Sequence, residues 1–226
     1  MRPLAIVTAL AAALALSATT ALALELTQTF DDAPLGPPPV AWRIAATNGG
    51  NAPAKWAVEQ GKGPKGDSKF LSLIAPEGTG LLARLTVSNV YNIAWLPDVK
   101  ARDVDVSVAI RANKGDIDQG GGLIWRAKDP DNYYVARYNP LEHNFRIYFV
   151  KDAKRTQLTT AENLGPNTGD WFTLRIVQRG PLIEGYLNGK KVLEARDNTF
   201  VDAGGVGVWT KADAQTSFDD LTVKEL

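Results

Sequence analysis

The stretch GGGLIWRAKDPDNYYVARYNPLEHNFRIYFV, residues 120–150, constrains the fold more than any other part of the chain. Two turn signals, Asp129-Pro130-Asp131-Asn132 and Asn139-Pro140-Leu141-Glu142-His143-Asn144, divide it into three apolar-rich runs, the pattern of consecutive antiparallel strands. Pairing Asp129 with Asn132 and Tyr138 with Phe145 sets a register. In it Arg126 faces Val135, Ile124 faces Arg137, and Arg137 faces Arg146. Side chains alternate along a strand, so one face carries Leu123, Trp125, Tyr134, Ala136, Tyr138, Phe145, Ile147 and Phe149. The other carries Ile124, Arg126, Tyr133, Val135, Arg137, Arg146 and Tyr148. The first set is a core face. The second is a surface of arginine and tyrosine where a function would sit.

The rest of the chain has the same texture: short apolar runs punctuated by Gly, Pro, Asn and Asp. Strands are expected at 24–30, 55–59, 70–75, 81–87, 103–111, 157–161, 171–178, 183–187, 191–196, 206–210 and 218–224. Residues 103–111 alternate most regularly, with Val104, Val106, Val108 and Ile110 on one side. Asn188-Gly189 between two such runs signals a type I′ hairpin. Residues 33–40 contain four prolines and cannot pair centrally in a sheet. No window has a long helical period, so the expected class is all-β, a two-sheet antiparallel sandwich. Phe-Asp-Asp occurs near both ends (Phe30-Asp31-Asp32 and Phe218-Asp219-Asp220), which suggests first and last strands meeting in one sheet.

Residues 1–23 read as a signal peptide. Met1-Arg2 gives a positive start, the run from Leu4 to Ala18 is interrupted only by Thr8 and Ser17, and Ala21-Leu22-Ala23 supplies the cleavage signal. The run is shorter than the roughly 20 apolar residues of a membrane span. The expectation is therefore a bacterial periplasmic or secreted protein with no membrane span after cleavage and residues 24–226 as one domain; a retained N-terminal anchor is the alternative. Twenty-five basic and 25 acidic residues balance to a net charge of +0. That balance gives no electrostatic basis for binding nucleic acid or anionic membrane. The absence of Cys excludes disulfides, thiol catalysis and thiolate metal sites, so the core must hold the fold.

Trp171-Phe-Thr-Leu-Arg-Ile-Val, then Gly185-Tyr-Leu-Asn-Gly-Lys-Lys-Val-Leu, then Gly204-Gly-Val-Gly-Val-Trp, together with the terminal Phe218-Asp219-Asp220-Leu221, resemble the concanavalin A-like lectin/glucanase superfamily in its laminin G-like jelly-roll form. Gly121-Gly-Leu-Ile-Trp-Arg with Asn132-Tyr-Tyr is most similar to the bacterial 3-keto-disaccharide hydrolase-type domains. The resemblance covers residues 107–226 well and the N-terminal third poorly. It implies a jelly roll that handles saccharides. It leaves activity open, because the superfamily holds lectins, hydrolases, lyases and adhesion modules.

The candidate ligand-binding set is Arg126, Tyr133, Arg137, Arg146, Tyr148, Glu142, Trp209 and Lys211. Aromatic rings stack on sugar C–H surfaces, and Arg offers a planar fork of donors to hydroxyl or carboxylate oxygens. Arginines adjacent across strands repel unless a carboxylate or ligand intervenes, and Glu142 is the candidate counter-charge. The competing reading is an ordinary solvated face with Arg stems over apolar surface. Trp209 is a stacking platform if the flanking valines point to the core, and a core residue otherwise; Trp125 and Trp171 are assigned to the core.

Asp31, Asp32, Asp219 and Asp220 are hard oxygen ligands that paired termini would bring together for a structural Ca²⁺, or else strand-end caps. Glycoside cleavage needs two carboxylates at a defined separation. No Glu-x-Asp-x-Glu strand is present, while Asp103-Val-Asp105 and Glu184 fit a solvated strand face. His143, the only histidine, lies in a turn and reads as incidental. Three functional classes follow: a carbohydrate- or polyol-binding module, a periplasmic glycoside hydrolase or lyase acting on (3-keto) disaccharides, and a non-catalytic scaffold. The lack of a carboxylate pair ranks binding first.

Overall fold

The computed structural model describes residues 24–49, 54–74 and 87–226. The signal-peptide segment and nearly all of the strand expected at 81–87 lie outside them. The first strands are β1 (Glu25–Gln28), β2 (Arg43–Thr47), β3 (Lys55–Gly63), β4 (Gly66–Ile74) and β5 (Tyr91–Ala101). Next come β6 (Val104–Lys114), β7 (Gly121–Asp129), β8 (Asn132–Asn139), β9 (Asn144–Lys151) and β10 (Lys154–Ala161). The chain closes with β11 (Trp171–Arg179), β12 (Leu182–Leu187), β13 (Lys190–Arg196), β14 (Gly204–Lys211) and β15 (Gln215–Glu225). They form two antiparallel sheets, an eight-stranded one in the order β13-β12-β11-β6-β15-β4-β3 with β1 added on β15, and a seven-stranded one in the order β10-β9-β8-β7-β14-β5-β2.

The core between the sheets is made by the alternation visible in the sequence. Val104, Val106, Val108 and Ile110 of β6 are fully buried, and so are Leu123, Trp125, Tyr134, Ala136, Tyr138, Phe145 and Ile147 from the opposing sheet. The polar tips of the large rings find partners: Trp125 Nε1 donates to Gln178 Oε1 (2.6 Å), and the Tyr138 hydroxyl bonds the carbonyls of Leu164 and Pro166. The termini meet as expected, with Glu25 opposite Lys224 and Gln28 opposite Leu221. Asn188 and Gly189 both take positive φ (49° and 79°) in the β12–β13 turn, as a two-residue primed hairpin requires.

Two strands escaped the sequence pattern. β5 buries both faces, with Ala94 and Leu96 in the main core and Tyr91, Ile93 and Trp95 in a second cluster. A strand apolar on both sides shows no alternation, and Pro97 breaks it further. β2 is a short edge strand paired only with β5.

The register of the three-strand segment is half as expected. Asp129 pairs with Asn132, Tyr138 with Phe145 and Arg137 with Arg146. Ile124, however, faces Val135, and Gly122 rather than Ile124 faces Arg137. The cause is a bulge in β7 between Trp125 and Asp129, at which Arg126 adopts φ 45°. Two residues are absorbed, so the parity of Leu123, Ile124 and Trp125 is unchanged. Arg126 alone leaves its expected face.

Candidate ligand-binding face

The outer face of the seven-stranded sheet carries most of the residues singled out in the sequence. Its central row runs from Ile93 on β5 through Trp209, Gly122 and Arg137 to Arg146 on β9. The sheet is curled so strongly that its middle is closed by its own edges. Asn48, just after β2, donates to the carbonyl of Ala153 in the β9–β10 turn (3.3 Å). Thr47 Oγ1 donates to the Pro130 carbonyl (2.6 Å), accepts from the Tyr133 hydroxyl (2.8 Å), and Tyr133 in turn accepts from Trp209 Nε1 (3.2 Å). Each group has one proton to give, which fixes the direction of this chain. Burial pushes the Tyr133 phenol far above its ordinary pKa, keeping it a neutral donor.

A second apolar cluster fills this curl: Tyr91, Ile93, Trp95, Ile124, Tyr133, Val135, Tyr148 and Trp209, with Ala127 and Val150 at its margin. Arg155 lies over three of the rings, 4.5 Å from the centroid of Tyr148, 5.1 Å from Tyr91 and 5.8 Å from Trp209. Tyr133, Tyr148 and Trp209 thus sit on the outer face but are buried, so the open arginine–tyrosine surface expected from the sequence is not present at the centre. For Trp209 the core alternative holds, in the second cluster rather than the main one. Val206 and Val208 do point into the main core, yet the indole is 1% exposed inside the second cluster.

The polar residues gather at one end, beside the β8–β9 turn. Arg137, 2% exposed, donates to Asn144 Oδ1 (3.1 Å) and to Glu142 Oε2 (3.0 Å). Asn144 donates to the same oxygen of Glu142 (3.0 Å), and Arg146 pairs with Glu142 (3.1 Å) and Glu162 (3.4 Å). Glu142 is therefore the counter-charge the register demands. Burial alone would raise its pKa, but the Asn144 hydrogen bond and the two guanidiniums outweigh it and hold the carboxyl below the ordinary range. Next along the rim, Asp118 accepts from Asn139 Nδ2 (2.8 Å) and Lys211 Nζ (2.9 Å). Three cations (Arg137, Arg146, Lys211) face three carboxylates (Glu142, Glu162, Asp118). One donor is left over: Arg137 Nε is buried without a partner. Arg155 Nη1, over the aromatic cluster, is a second buried guanidinium N–H without a partner, so the groups of this array open to a ligand are Arg146 and Glu142.

Arg126 belongs elsewhere. Its bulge turns the side chain toward the end of the sandwich, where it donates to the carbonyls of Arg102 (2.7 Å), Phe200 (2.8 Å) and Gly180 (3.1 Å) and to Asp103 (3.2 Å). It is 1% exposed, and each of its three nitrogens has a partner. The sequence places it beside Arg137 only because a bulge leaves no mark on the alternation.

The aspartate pairs do not assemble a metal site. Among the described residues no group of three or more His, Cys, Asp or Glu is placed to hold a metal ion. Asp219 accepts from Ser68 (2.8 Å), Asp220 pairs with Lys65 (2.8 Å), and Asp31 accepts from the Lys69 amide (3.0 Å). Asp105 takes a bidentate contact from Arg175, Glu184 is tied to Lys191 and Tyr186, and His143 is exposed at φ 48° in its turn. Sequence reasoning missed Asn139 and Asn144, which the β8–β9 register sets opposite each other, and Asp118, which reaches Asn139 from the loop before β7. It also missed Arg155 and Thr47, which arrive from the two edges of the sheet.

The fold has many solved counterparts. It is similar to the carbohydrate-binding module CBM66 from Bacillus subtilis, with 16% identity and a TM-score of 0.58 over 77% of this chain and 98% of that one. Domain 4 of AbnA, a GH43 extracellular arabinanase from Geobacillus stearothermophilus solved with arabinotriose, is 15% identical, with a TM-score of 0.58 over 88% of this chain and 90% of that chain. A Bacillus subtilis protein of unknown function with a galectin-like fold gives 12% identity and a TM-score of 0.52, over 81% and 89%. What these structures share with the chain is the fold, a two-sheet antiparallel jelly-roll sandwich. No protein-family model and no curated protein matches the chain, so the likeness to 3-keto-disaccharide hydrolase-type domains rests on its motif residues alone. Among the described residues no helix is long and apolar enough to cross a membrane.

Proposed function

We propose that this chain is an exported carbohydrate-binding jelly roll that grips a neutral saccharide at the β8–β9 end of the outer face. The observation that carries the reading is the charge-balanced array of Arg137, Glu142, Asn144, Arg146, Asp118 and Lys211, with Arg146 and Glu142 at its open edge. Three positive and three negative groups leave no net field for an ionic ligand, whereas sugar hydroxyls both donate and accept and match such a mosaic. Arg146 (26% exposed side chain) and Glu142 (41%) form the accessible rim, and Arg137 stands behind them. The fold's kinship with a carbohydrate-binding module and an arabinan-degrading enzyme's domain supports the ligand class, and the composition of residues 1–23 supports export.

The test is a glycan array followed by calorimetric titration of the best neutral ligand. Arg146→Ala weakens binding by about tenfold, the equivalent of about 1.4 kcal/mol, by removing one charge-assisted contact. Binding that is indifferent to both Arg146→Ala and Glu142→Gln defeats the assignment.

A further inference from the structure

At the opposite end of the same face the ladder breaks on both sides of β14. Between Val206↔Leu96 and Gly204↔Ala101, β5 inserts extra residues and throws out Pro97–Lys100; between Gly207↔Ile124 and Gly205↔Ala127, β7 bulges at Arg126. The two bulges frame a cavity of about 450 Å³, lined by Trp95, Asp98, Lys100, Lys128, Asp202 and Gly204 among others. That volume falls in the range of small-molecule sites. Bulges of this kind re-aim side chains and concentrate beside functional sites. This one is held with effort: Arg126 keeps a non-glycine φ of 45° and is fixed by the four hydrogen bonds described above.

The glycines of β14 are part of the construction. A Cβ on Gly205 would come within 2.7 Å of the Trp95 ring, and one on Gly204 within 2.4 Å of the Arg126 backbone. Without side chains there, the indole lies against bare backbone. Trp95 is 9% exposed and presents the Cε3–Cζ3 edge of its six-membered ring to Gly205. Around it Asp98 and Lys100, both exposed, come from one bulge, while Lys128 and Asp202 meet across the other at 3.5 Å with side chains 47% and 73% exposed. Two lysines and two aspartates again cancel. By contrast, the cavity of about 460 Å³ beside Trp171 has its indole N–H committed to the Lys62 carbonyl and Arg111 over the ring.

We propose that the double-bulge pocket at Trp95 is a second saccharide site, taking a neutral polyhydroxyl ligand between the Trp95 ring, the Lys128–Asp202 pair, Asp98 and Lys100. It rests on the carbohydrate reading and extends it to a pocket whose lining holds none of the candidate ligand-binding residues. Arg126 acts there as a positioning residue. The Arg137 end and the Trp95 end are separated by the closed aromatic cluster, so the two sites fill independently.

Amide and indole chemical-shift mapping of the full chain with arabinotriose, xylotriose and maltotriose tests this. The expected result is a set of shifts at the Trp95 indole, Ala127, Lys128 and Gly204 with its own saturation curve. Lys128→Ala and Asp202→Asn each weaken that curve about three- to tenfold, the worth of one solvent-exposed hydrogen bond. They leave shifts at Asn144 and Arg146 unchanged. Both substitutions are at exposed positions that the fold does not need, whereas Trp95→Ala would empty part of the second cluster. Shifts confined to the Arg137 end, or no shift at the Trp95 indole with any of the three sugars, overturn the second site. Shifts at Trp95 alone sustain it and overturn the first.

Discussion

The two ends of the outer face hold a buried arginine each, and the contrast between them explains what each end can do. Arg126 and Arg137 are 1% and 2% exposed. Arg126 sits at a strained bulge and satisfies its guanidinium with three carbonyls and Asp103, so it is finished as a structural element and its pocket is lined by others. Arg137 sits in a regular ladder, shares Glu142 with Arg146, and keeps Nε unmatched. One arginine builds a shape. The other anchors the carboxylate of an open rim.

The largest expected effect breaks that symmetry directly. Arg126→Met keeps much of the aliphatic stem but orphans the Arg102, Phe200 and Gly180 carbonyls and frees the bulge, which costs about 3 kcal/mol in urea unfolding. Arg137→Met costs about 1 kcal/mol, because Glu142 retains Arg146 and Asn144 and one buried orphan donor disappears. Equal losses in the two variants would erase the distinction between builder and binder.

Next in size is Glu142→Gln, which leaves Arg137 and Arg146 adjacent without their shared carboxylate. With Glu142 41% exposed the cost is reduced by solvent screening to about 1–2 kcal/mol at pH 7. The folded pKa lies below the unfolded one, so the stabilisation is present above the ordinary carboxylate range. It is lost as pH falls through the lower, folded value. Wild type and Glu142→Gln should converge in acid; a gap that persists to the lowest pH at which the protein folds would show that the interaction is not the charge.

Much of this molecule was legible before its structure. The alternation of Val104, Val106, Val108 and Ile110, the Asn188-Gly189 turn and the Phe-Asp-Asp ends each correspond to one physical cause acting over a few residues. The Arg137–Arg146 adjacency and its Glu142 counter-charge follow from a regular turn. What the sequence could not convey is non-local or aperiodic. The bulge that removes Arg126 changes no side-chain parity, since two residues are absorbed. The burial of Tyr133, Tyr148 and Trp209 depends on Thr47 and Asn48, more than 80 residues upstream of Tyr133, reaching across the curled sheet. The Trp95 pocket needs two bulges from separate strands to coincide at a glycine pair, and β5 itself was hidden by being apolar on both faces.

The smallest effect carries the comparison to the other sheet, where a carboxylate is shifted the opposite way. Asp219 is 2% exposed on β15. Burial raises its pKa to about 6, against lowering hydrogen bonds from Ser68 and the Asp220 amide, with Asp220 and Asp31 adding to the rise. Its folded pKa therefore exceeds the unfolded one, and between about pH 4 and pH 6 the folded state holds more protons than the unfolded state. Stability falls as pH rises through that window and is level above it. Asp219→Asn removes the slope but offers one acceptor oxygen where the carboxylate uses two, so the net gain at pH 7 is only about 1 kcal/mol. Thermal unfolding of the variant between pH 4 and pH 7 should therefore run flatter than that of wild type, whereas Glu142→Gln alters the curve below pH 5. If Asp219→Asn leaves the slope intact, the carboxyl is already ionised at pH 4 and burial beside two other aspartates does not raise its pKa.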